Sequence, residues 1–281
     1  MNKSDKTPAK PRRTPPRLLQ VIRSTRVTPD MQRITLGGEE LKGFPANRNG
    51  AHIKVFLPRP DQFKPLLPSL GVNGPVWPEA HLRPITRTYS VRRYRQNENE
   101  LDIDFVLHGY NSPASGWALH AKPGDFLGIA GPGGPDPLIS PADWHFIAGD
   151  MTALPAISAL LEDLPEGSQG HAFIEIKTSR DIQPLVNNTA MSITWLQIES
   201  IPARQNDVLL QAVKNVSPPS GVTSVSAFIA GENHAVISIR DYLRTAYGLS
   251  KARLYAVPYW RRGQDEETYH QERHRIMDEV Y

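Results

Sequence analysis

The chain has 281 residues, of which 39% are hydrophobic, enough for one large or two medium-sized domains with a substantial core. It contains no cysteine, which excludes disulfides, iron–sulfur clusters and cysteine nucleophiles and fits a cytoplasmic protein. The sequence shows no apolar run of about eighteen residues and no apolar signal core, so we expect neither a transmembrane helix nor export.

The positive charge is concentrated at the amino terminus. Residues 1–17 carry a net charge of +5, whereas the whole chain carries +3, so the remainder sums to −2. Prolines interrupt the same segment, which predicts a disordered basic arm over residues 1–16. A nucleic-acid or membrane tether and a solubilising tail both fit such an arm. Because no aromatic residue is interleaved with the basic ones, we favour the tail and expect neither nucleic acid nor membrane as a partner.

Short strands separated by turns follow in the first half. Residues 101–105 alternate apolar and acidic side chains, which is typical of a half-buried strand. Six such strands predict an antiparallel Greek-key barrel over residues 17–139. The proline-rich segment 58–84 interrupts the pattern and is expected to form a long surface loop. The predicted strands are 18–23, 31–36, 52–57, 87–93, 101–107 and 125–130.

The second half alternates strands with helices, which predicts a parallel sheet with crossover helices over residues 140–263. The carboxyl ends of such strands form a crevice that suits a nucleotide. The boundary between the halves is expected near residues 137–141, and a final helix is predicted over 265–280, within the C-terminal segment 264–281. The predicted strands are 144–148, 172–177, 193–198, 224–230 and 253–257, and the predicted helices are 153–161, 207–213 and 234–247.

Two clusters in the first half indicate a flavin dinucleotide. Residues 87–90 offer a guanidinium, an aromatic plane and a hydroxyl in one short strand, although an ordinary barrel strand fits them too. About twenty residues later, a strand ends at His108 and a turn opens a helix with Ala114 and Ser115 near its start. A helix amino terminus favours a pyrophosphate group. Trp117 fits either a core position or a cofactor contact.

Two other patterns carry weaker signals. His270 and His274 have the i, i+4 spacing of a zinc-binding pair, but no third ligand is evident, so no metal site is predicted. Residues 131–134 lack the spacing of a dinucleotide fingerprint and are expected to form a turn between the domains.

Several motifs that together span most of the chain after the arm form a recognisable set. They are residues 87–90, 104–109, 113–115 with 117–118, 131–134, 149–157, 230–232 and 259–263. In this set the chain resembles the siderophore-interacting proteins, which are FAD-dependent ferric-siderophore reductases of the ferredoxin–NADP reductase-like superfamily. The last two motifs distinguish this family from generic flavin reductases.

The resemblance implies FAD as the cofactor, with Tyr89 packed against the isoalloxazine, Arg87 paired with the pyrophosphate and Ser90 hydrogen-bonded near the ring. It also implies that Thr152 opens the first helix of the second domain at a nicotinamide-nucleotide contact and that Trp260 covers the flavin. The complete set of implied cofactor contacts is Arg87, Thr88, Tyr89, Ser90, His108, Gly109, Ala114, Ser115, Trp117, Asp150, Thr152 and Trp260.

The implied substrate is a ferric siderophore, a bulky and often anionic chelate that a shallow basic rim beside the flavin would attract. Lys54, Arg261 and Arg262 best match the family's basic patch, followed by Arg48, and each also fits an ordinary solvated surface charge. Electron transfer needs no general acid or base, so no catalytic side chain is predicted.

The predicted activity passes electrons from NADH or NADPH through FAD to Fe(III) in a siderophore and releases Fe(II) in the cytoplasm. Within the family, a C-terminal helix like that predicted here accompanies members that favour NADH or an external donor, which favours NADH. The alternative enzyme is a generic NAD(P)H-flavin or ferredoxin oxidoreductase, and the non-enzymatic alternative is a siderophore-binding protein. Ferredoxin is a further candidate partner, and we expect a monomer.

Overall fold

The computed structural model of this chain describes residues 14–72, 74–110, 112–199, 207–264 and 268–269. They form a barrel-like antiparallel domain followed by a parallel α/β domain, which confirms the predicted fold class. Within these residues, no helix is long and apolar enough to cross a membrane. Most of the predicted arm and of the predicted C-terminal helix lies outside them, as do His270 and His274; of that helix, only Thr268 and Tyr269 are described, and both are helical.

The described part of the first domain is mainly β-structure. It consists of β1 (Arg17–Thr28), β2 (Met31–Gly37), β3 (His52–Leu57), β4 (Ser69–Gly71), β5 (Gly74–Val76), β6 (Ile85–Ser90), β7 (Arg93–Arg95), β8 (Glu100–Val106), α1 (Pro113–His120) and β9 (Phe126–Gly133). Seven of these strands form one antiparallel sheet in the order β6-β3-β9-β1-β2-β8-β7. β9 lies between β3 and β1, and the run β9-β1-β2-β8 has the 4-1-2-3 strand order of a Greek key.

Strand β8 is buried on both faces, although its alternating sequence predicts a half-buried strand. The apolar residues of 101–105 pack in the barrel core, and Asp102 and Asp104 on the other face are only 4% exposed. Arg33 forms a two-point ion pair with Asp104, at 2.7 and 2.8 Å, and Arg95 does the same with Asp102. The acidic face is therefore covered by arginines from neighbouring strands rather than by water, because buried carboxylates need such partners.

Acid stability should depend on Glu100, which begins β8. Hydrogen bonds from Arg23 and then Arg95 lower the pKa of Glu100 from 4.5 to about 2. A lowered carboxylate pKa stabilises the fold above the unfolded-state pKa, and this stabilisation is lost as the pH falls from about 4.5 to about 2. We therefore expect Glu100→Gln to flatten the fall in the free energy of unfolding across that interval, measured by urea denaturation. Glu39→Gln, at an 86% exposed side chain, is the control; equal behaviour of the two variants would contradict the expectation.

The predicted strand 87–93 is divided in two, which is why the sheet has seven strands rather than six. β6 ends at Ser90 and β7 begins at Arg93. Between them, the Val91 N–H donates to the Ala51 carbonyl at 2.9 Å, and the Val91 carbonyl accepts from the Gly50 N–H at 2.7 Å. These contacts with a segment forty residues earlier redirect the chain.

The proline-rich segment 58–84 contains the small antiparallel hairpin β4–β5, where only a loop was predicted. The segment lies on the surface, as expected, and the side chains of Phe63 and Val76 are more than half exposed. Part of the segment nevertheless packs on the barrel, since Trp77 lies edge-on to Phe56 with ring centroids 6.0 Å apart.

The second domain has the alternating order that the sequence predicts. It consists of β10 (Trp144–Asp150), α2 (Leu154–Asp163), β11 (Gly170–Ile176), β12 (Ser192–Gln197), α3 (Val208–Lys214), β13 (Val225–Glu232), α4 (Asn233–Tyr247) and β14 (Leu254–Trp260). The five strands are parallel, in the order β12-β11-β10-β13-β14. The carboxyl ends of β10, β13 and β14 are therefore neighbours at one edge of the domain.

Buried contacts join the two domains. The Thr28 hydroxyl at the end of β1 donates to the Asp181 carboxylate at 3.0 Å, and the Asp30 N–H donates to the same oxygen at 3.2 Å. Arg92 and Glu162 form an ion pair at 2.6 Å, with both side chains less than 15% exposed. These contacts hold the barrel against α2 and against the segment that follows β11.

Candidate functional site

A line of aromatic rings connects the strand β6 to the helix α1. Tyr89 of β6 lies 4.4 Å from Phe105 of β8, measured between ring centroids, and Phe105 lies 5.7 Å from Trp117 of α1. Phe105 is fully buried, whereas Tyr89 and Trp117 are half-buried at the border of the barrel core. The sheet therefore curls until its edge strand β6 lies beside β8, and one side of the Tyr89 ring packs on the barrel core.

Strand β6 divides its four predicted cofactor residues between two faces. Successive residues of a strand point to opposite faces, so Arg87 and Tyr89 share one face and Thr88 and Ser90 the other. Lys54 of β3 pairs with Thr88, and its Nζ donates to the Thr88 hydroxyl at 2.8 Å. The predicted substrate residue Lys54 therefore lies beside the predicted flavin strand, on the face opposite Tyr89.

The turn before α1 packs closely against the helix. Ser115 is fully buried, and its hydroxyl accepts a hydrogen bond from the His108 N–H at 3.1 Å, so the end of β8 is tied to the first turn of α1. Gly109 has a φ of +106°, which favours glycine. A Cβ on Gly116 would lie 2.5 Å from the Tyr110 carbonyl oxygen, so the turn and the helix approach as closely as glycine allows.

At the other domain, Asp150 is the centre of a hydrogen-bond cluster. It ends β10, and one carboxylate oxygen accepts from the N–H and the hydroxyl of Thr152, at 2.8 and 2.5 Å. The other oxygen accepts from the Glu232 N–H and from the Trp260 indole N–H, both at 2.8 Å. Burial raises the pKa of Asp150, and the hydrogen bonds from Thr152 and Trp260 oppose that shift. Thr152 itself precedes α2, which begins at Leu154.

Glu232 was not among the predicted site residues, yet it organises the same end of the sheet. Its carboxylate accepts from the N–H groups of His234 and Ala235 and so caps α4. Its second oxygen accepts from the Arg262 N–H at 3.2 Å. This hydrogen bond holds the predicted basic residue Arg262 near Trp260. Arg262 is exposed, and Arg261, which precedes it in the sequence, is half-buried. The sequence signal is an acidic residue at the start of a predicted helix, where the helix dipole favours negative charge.

Arg48 lies elsewhere. Its guanidinium pairs with Asp136 at 2.9 Å and donates to the Gly134 carbonyl at 3.0 Å. It lines a cavity of about 260 Å³ between the domains, whose wall includes His145 at the start of β10. Asp150 ends the same strand, about 16 Å away at the usual rise per residue. The structure therefore does not bring Arg48 together with Arg262.

The residues at the barrel end fit an extended flavin dinucleotide. A half-buried tyrosine ring, backed by a buried aromatic core, offers a flat surface for the isoalloxazine, and the turn containing Gly109 precedes a helix amino terminus, whose backbone N–H groups favour a pyrophosphate. A flavin barrel joined to a parallel nucleotide-binding domain defines the ferredoxin–NADP reductase-like class of oxidoreductases.

Comparison with known proteins identifies the family within this class. The siderophore-interacting FAD-binding domain matches residues 20–136, and the siderophore-interacting protein family matches residues 142–263. The ferric vibriobactin reductase ViuB of Vibrio cholerae is 47% identical over 266 residues, covering 95% of this chain and 97% of that protein. The chain belongs to the siderophore-interacting protein family.

Two further comparisons agree with this assignment. The crystal structure of the siderophore-interacting protein SipS from Aeromonas hydrophila superposes with a TM-score of 0.80 at 37% identity, covering 94% of this chain and 98% of that one. The NADPH-dependent ferric-chelate reductase of Escherichia coli is 37% identical over 186 residues, covering 64% of this chain and 70% of that protein.

Proposed function

We propose that this protein is an FAD-dependent ferric-siderophore reductase that uses NADH or NADPH. The observation that carries the proposal is the pairing of two half-sites in one chain of this family: a cradle for a flavin dinucleotide around Tyr89 and α1, and a nucleotide crevice around Asp150. When bound, FAD accepts a hydride from the nicotinamide and delivers single electrons to the ferric chelate.

Each domain has a separate task in this proposal. The barrel, residues 17–139, holds FAD through Tyr89 and the turn before α1. The α/β domain, residues 140–263, binds the reduced nicotinamide nucleotide at the carboxyl ends of its strands. The side chains of this protein bind and orient the two nucleotides and exclude water from the place where the nucleotides meet. The reaction requires no side chain as a general acid or base.

The location, assembly and partners belong to the same proposal. Reduction in the cytoplasm fits a chain without cysteine, and we propose that the protein acts as a monomer. A ferric siderophore is the electron acceptor. Ferredoxin is a candidate donor. Because the name of the E. coli relative specifies NADPH, any assay should include both NADH and NADPH.

The proposal is tested with purified protein under anaerobic conditions. We expect the protein to take up FAD and turn yellow, to bleach with NADH or NADPH, and to regain its colour when a ferric siderophore is added. Ferric vibriobactin, the substrate in the name of the V. cholerae relative, is the first chelate to test, followed by one chelate each of the catecholate, hydroxamate and carboxylate classes. A protein that takes up no FAD would overturn the proposal, and faster reoxidation by ferredoxin would favour the alternative oxidoreductase.

Removing the charge of Lys54 should weaken chelate binding. We expect Lys54→Ala to raise the KM for an anionic ferric chelate by roughly threefold to tenfold at low salt, because the ammonium beside Thr88 attracts the chelate toward the flavin strand. The KM for the nicotinamide should stay the same, and the difference should shrink as salt screens the charge. Lys42→Ala, which removes an equal charge from an exposed position of the barrel, is the control. A similar rise in both variants would remove Lys54 from the substrate site.

A further inference from the structure

The Asp150 carboxylate is fully used by the protein itself. A carboxylate has about four acceptor positions, and the two oxygens of Asp150 receive four donors from Thr152, Glu232 and Trp260. The side chain is 8% exposed. A ribose hydroxyl would have to displace one of these donors, so Asp150 acts on a bound nucleotide through the groups it holds.

The backbone around Asp150 is built to admit the carboxylate. Gly231, in the neighbouring strand β13, has a φ of +129°, and a Cβ there would lie 2.5 Å from one carboxylate oxygen of Asp150. Any other residue at this position would push the carboxylate out of the cluster. The close approach brings the Glu232 N–H and the Trp260 indole to the same oxygen.

The donors to Asp150 are neutral. They are the N–H and the hydroxyl of Thr152, the Glu232 N–H and the Trp260 indole N–H. A buried anion without a cation destabilises a fold unless hydrogen bonds compensate it. Clusters of this kind concentrate at functional sites, where position matters more than stability.

We propose that Asp150 is a positioning residue for electron transfer: it fixes the Trp260 indole on one side of the crevice and the Thr152 segment on the other. Trp260 is 36% exposed, so anchoring its indole N–H leaves part of the residue accessible. The proposal rests on the proposed function, since a fixed indole at this place controls how the nicotinamide reaches the flavin.

The test begins with protein free of FAD. Asp150→Asn replaces two acceptor positions with an amide NH₂ that opposes two of the donors. We expect the indole N–H resonance of Trp260, identified by its loss in Trp260→Phe, to move upfield in Asp150→Asn. Asp143→Asn is the matched control, because Asp143 also accepts four hydrogen bonds, from Thr223 and Ser224, but lies at the amino end of the same sheet. In Asp143→Asn, the Trp260 indole resonance should keep its wild-type chemical shift. An unmoved resonance in Asp150→Asn would overturn the proposal.

The second part uses the FAD-loaded enzyme. We expect Asp143→Asn to leave the KM for the nicotinamide unchanged and Asp150→Asn to raise it about tenfold. Trp260→Phe should have a similar effect, and the double variant should be no worse than either single one. Equal KM changes in Asp150→Asn and Asp143→Asn, or full additivity with Trp260→Phe, would overturn the proposal. If the enzyme used no nicotinamide at all, the proposed function would fail, whereas the resonance measurement would still report on the Asp150–Trp260 contact.

Discussion

Tyr89→Ala is expected to weaken FAD binding by about tenfold or more. Stacking of a flat ring on an aromatic side chain contributes about 1–3 kcal/mol, and each 1.4 kcal/mol corresponds to about tenfold in affinity. The Tyr89 ring rests on the fully buried Phe105, so it is oriented before the cofactor binds and loses little freedom on binding. Fluorescence titration of the FAD-free protein with FAD gives the dissociation constant.

The matched control is Tyr94→Ala. Tyr94 is also a half-buried tyrosine at the border of the barrel core, where it packs on Phe44 with centroids 5.1 Å apart. Both variants should lose barrel stability to a similar extent, because each leaves a gap beside a buried ring. Only Tyr89→Ala should lose FAD. If both variants lost FAD equally, general loosening of the barrel would explain the result, and Tyr89 would have no direct contact.

Gly116→Ala is expected to be the second damaging change in the barrel. Alanine usually stabilises a helix by about 1 kcal/mol over glycine. Here the added methyl group would lie 2.5 Å from the Tyr110 carbonyl oxygen, a backbone atom that moves only if the turn before α1 moves. A displaced turn would carry His108 and Gly109 away from the pyrophosphate, so we expect FAD affinity to fall about tenfold.

Gly167→Ala provides the comparison for this change. Nothing lies within 4 Å of a Cβ at Gly167, which lies on the loop between α2 and β11. This variant should fold and bind FAD like the wild type. Unchanged or tighter FAD binding in Gly116→Ala would show that the turn before α1 does not hold the cofactor.

Local patterns predicted the elements but not their interruptions. The alternation of residues 101–105 identified β8, and the strand–helix repeat identified the parallel domain. The break between β6 and β7 depends on two hydrogen bonds, from the Val91 N–H to the Ala51 carbonyl and from the Gly50 N–H to the Val91 carbonyl, which no local pattern reveals. The sequence of β8 predicts that its acidic face is exposed to water. The arginines that bury this face come from other strands, so the sequence of β8 alone does not reveal them.

The candidate site was predictable where its residues are adjacent in sequence. Residues 87–90 and the turn before α1 each form one local unit, and the structure brings them together through Phe105, a residue that pattern alone assigns to the core. The Asp150 cluster joins residues up to 110 positions apart, so its geometry follows only from the order of the parallel strands. The individual cofactor and substrate contacts stay predictions.

The central claim is that electrons pass from a nicotinamide through FAD to chelated iron. The most direct measurement reduces the FAD-loaded protein anaerobically with one equivalent of NADH or NADPH, adds a ferric siderophore, and captures Fe(II) with a coloured chelator. We predict about two Fe(II) for each reduced flavin, because a flavin carries two electrons and iron accepts one. A flavin that stays reduced, with no Fe(II) captured from any class of siderophore, would contradict it.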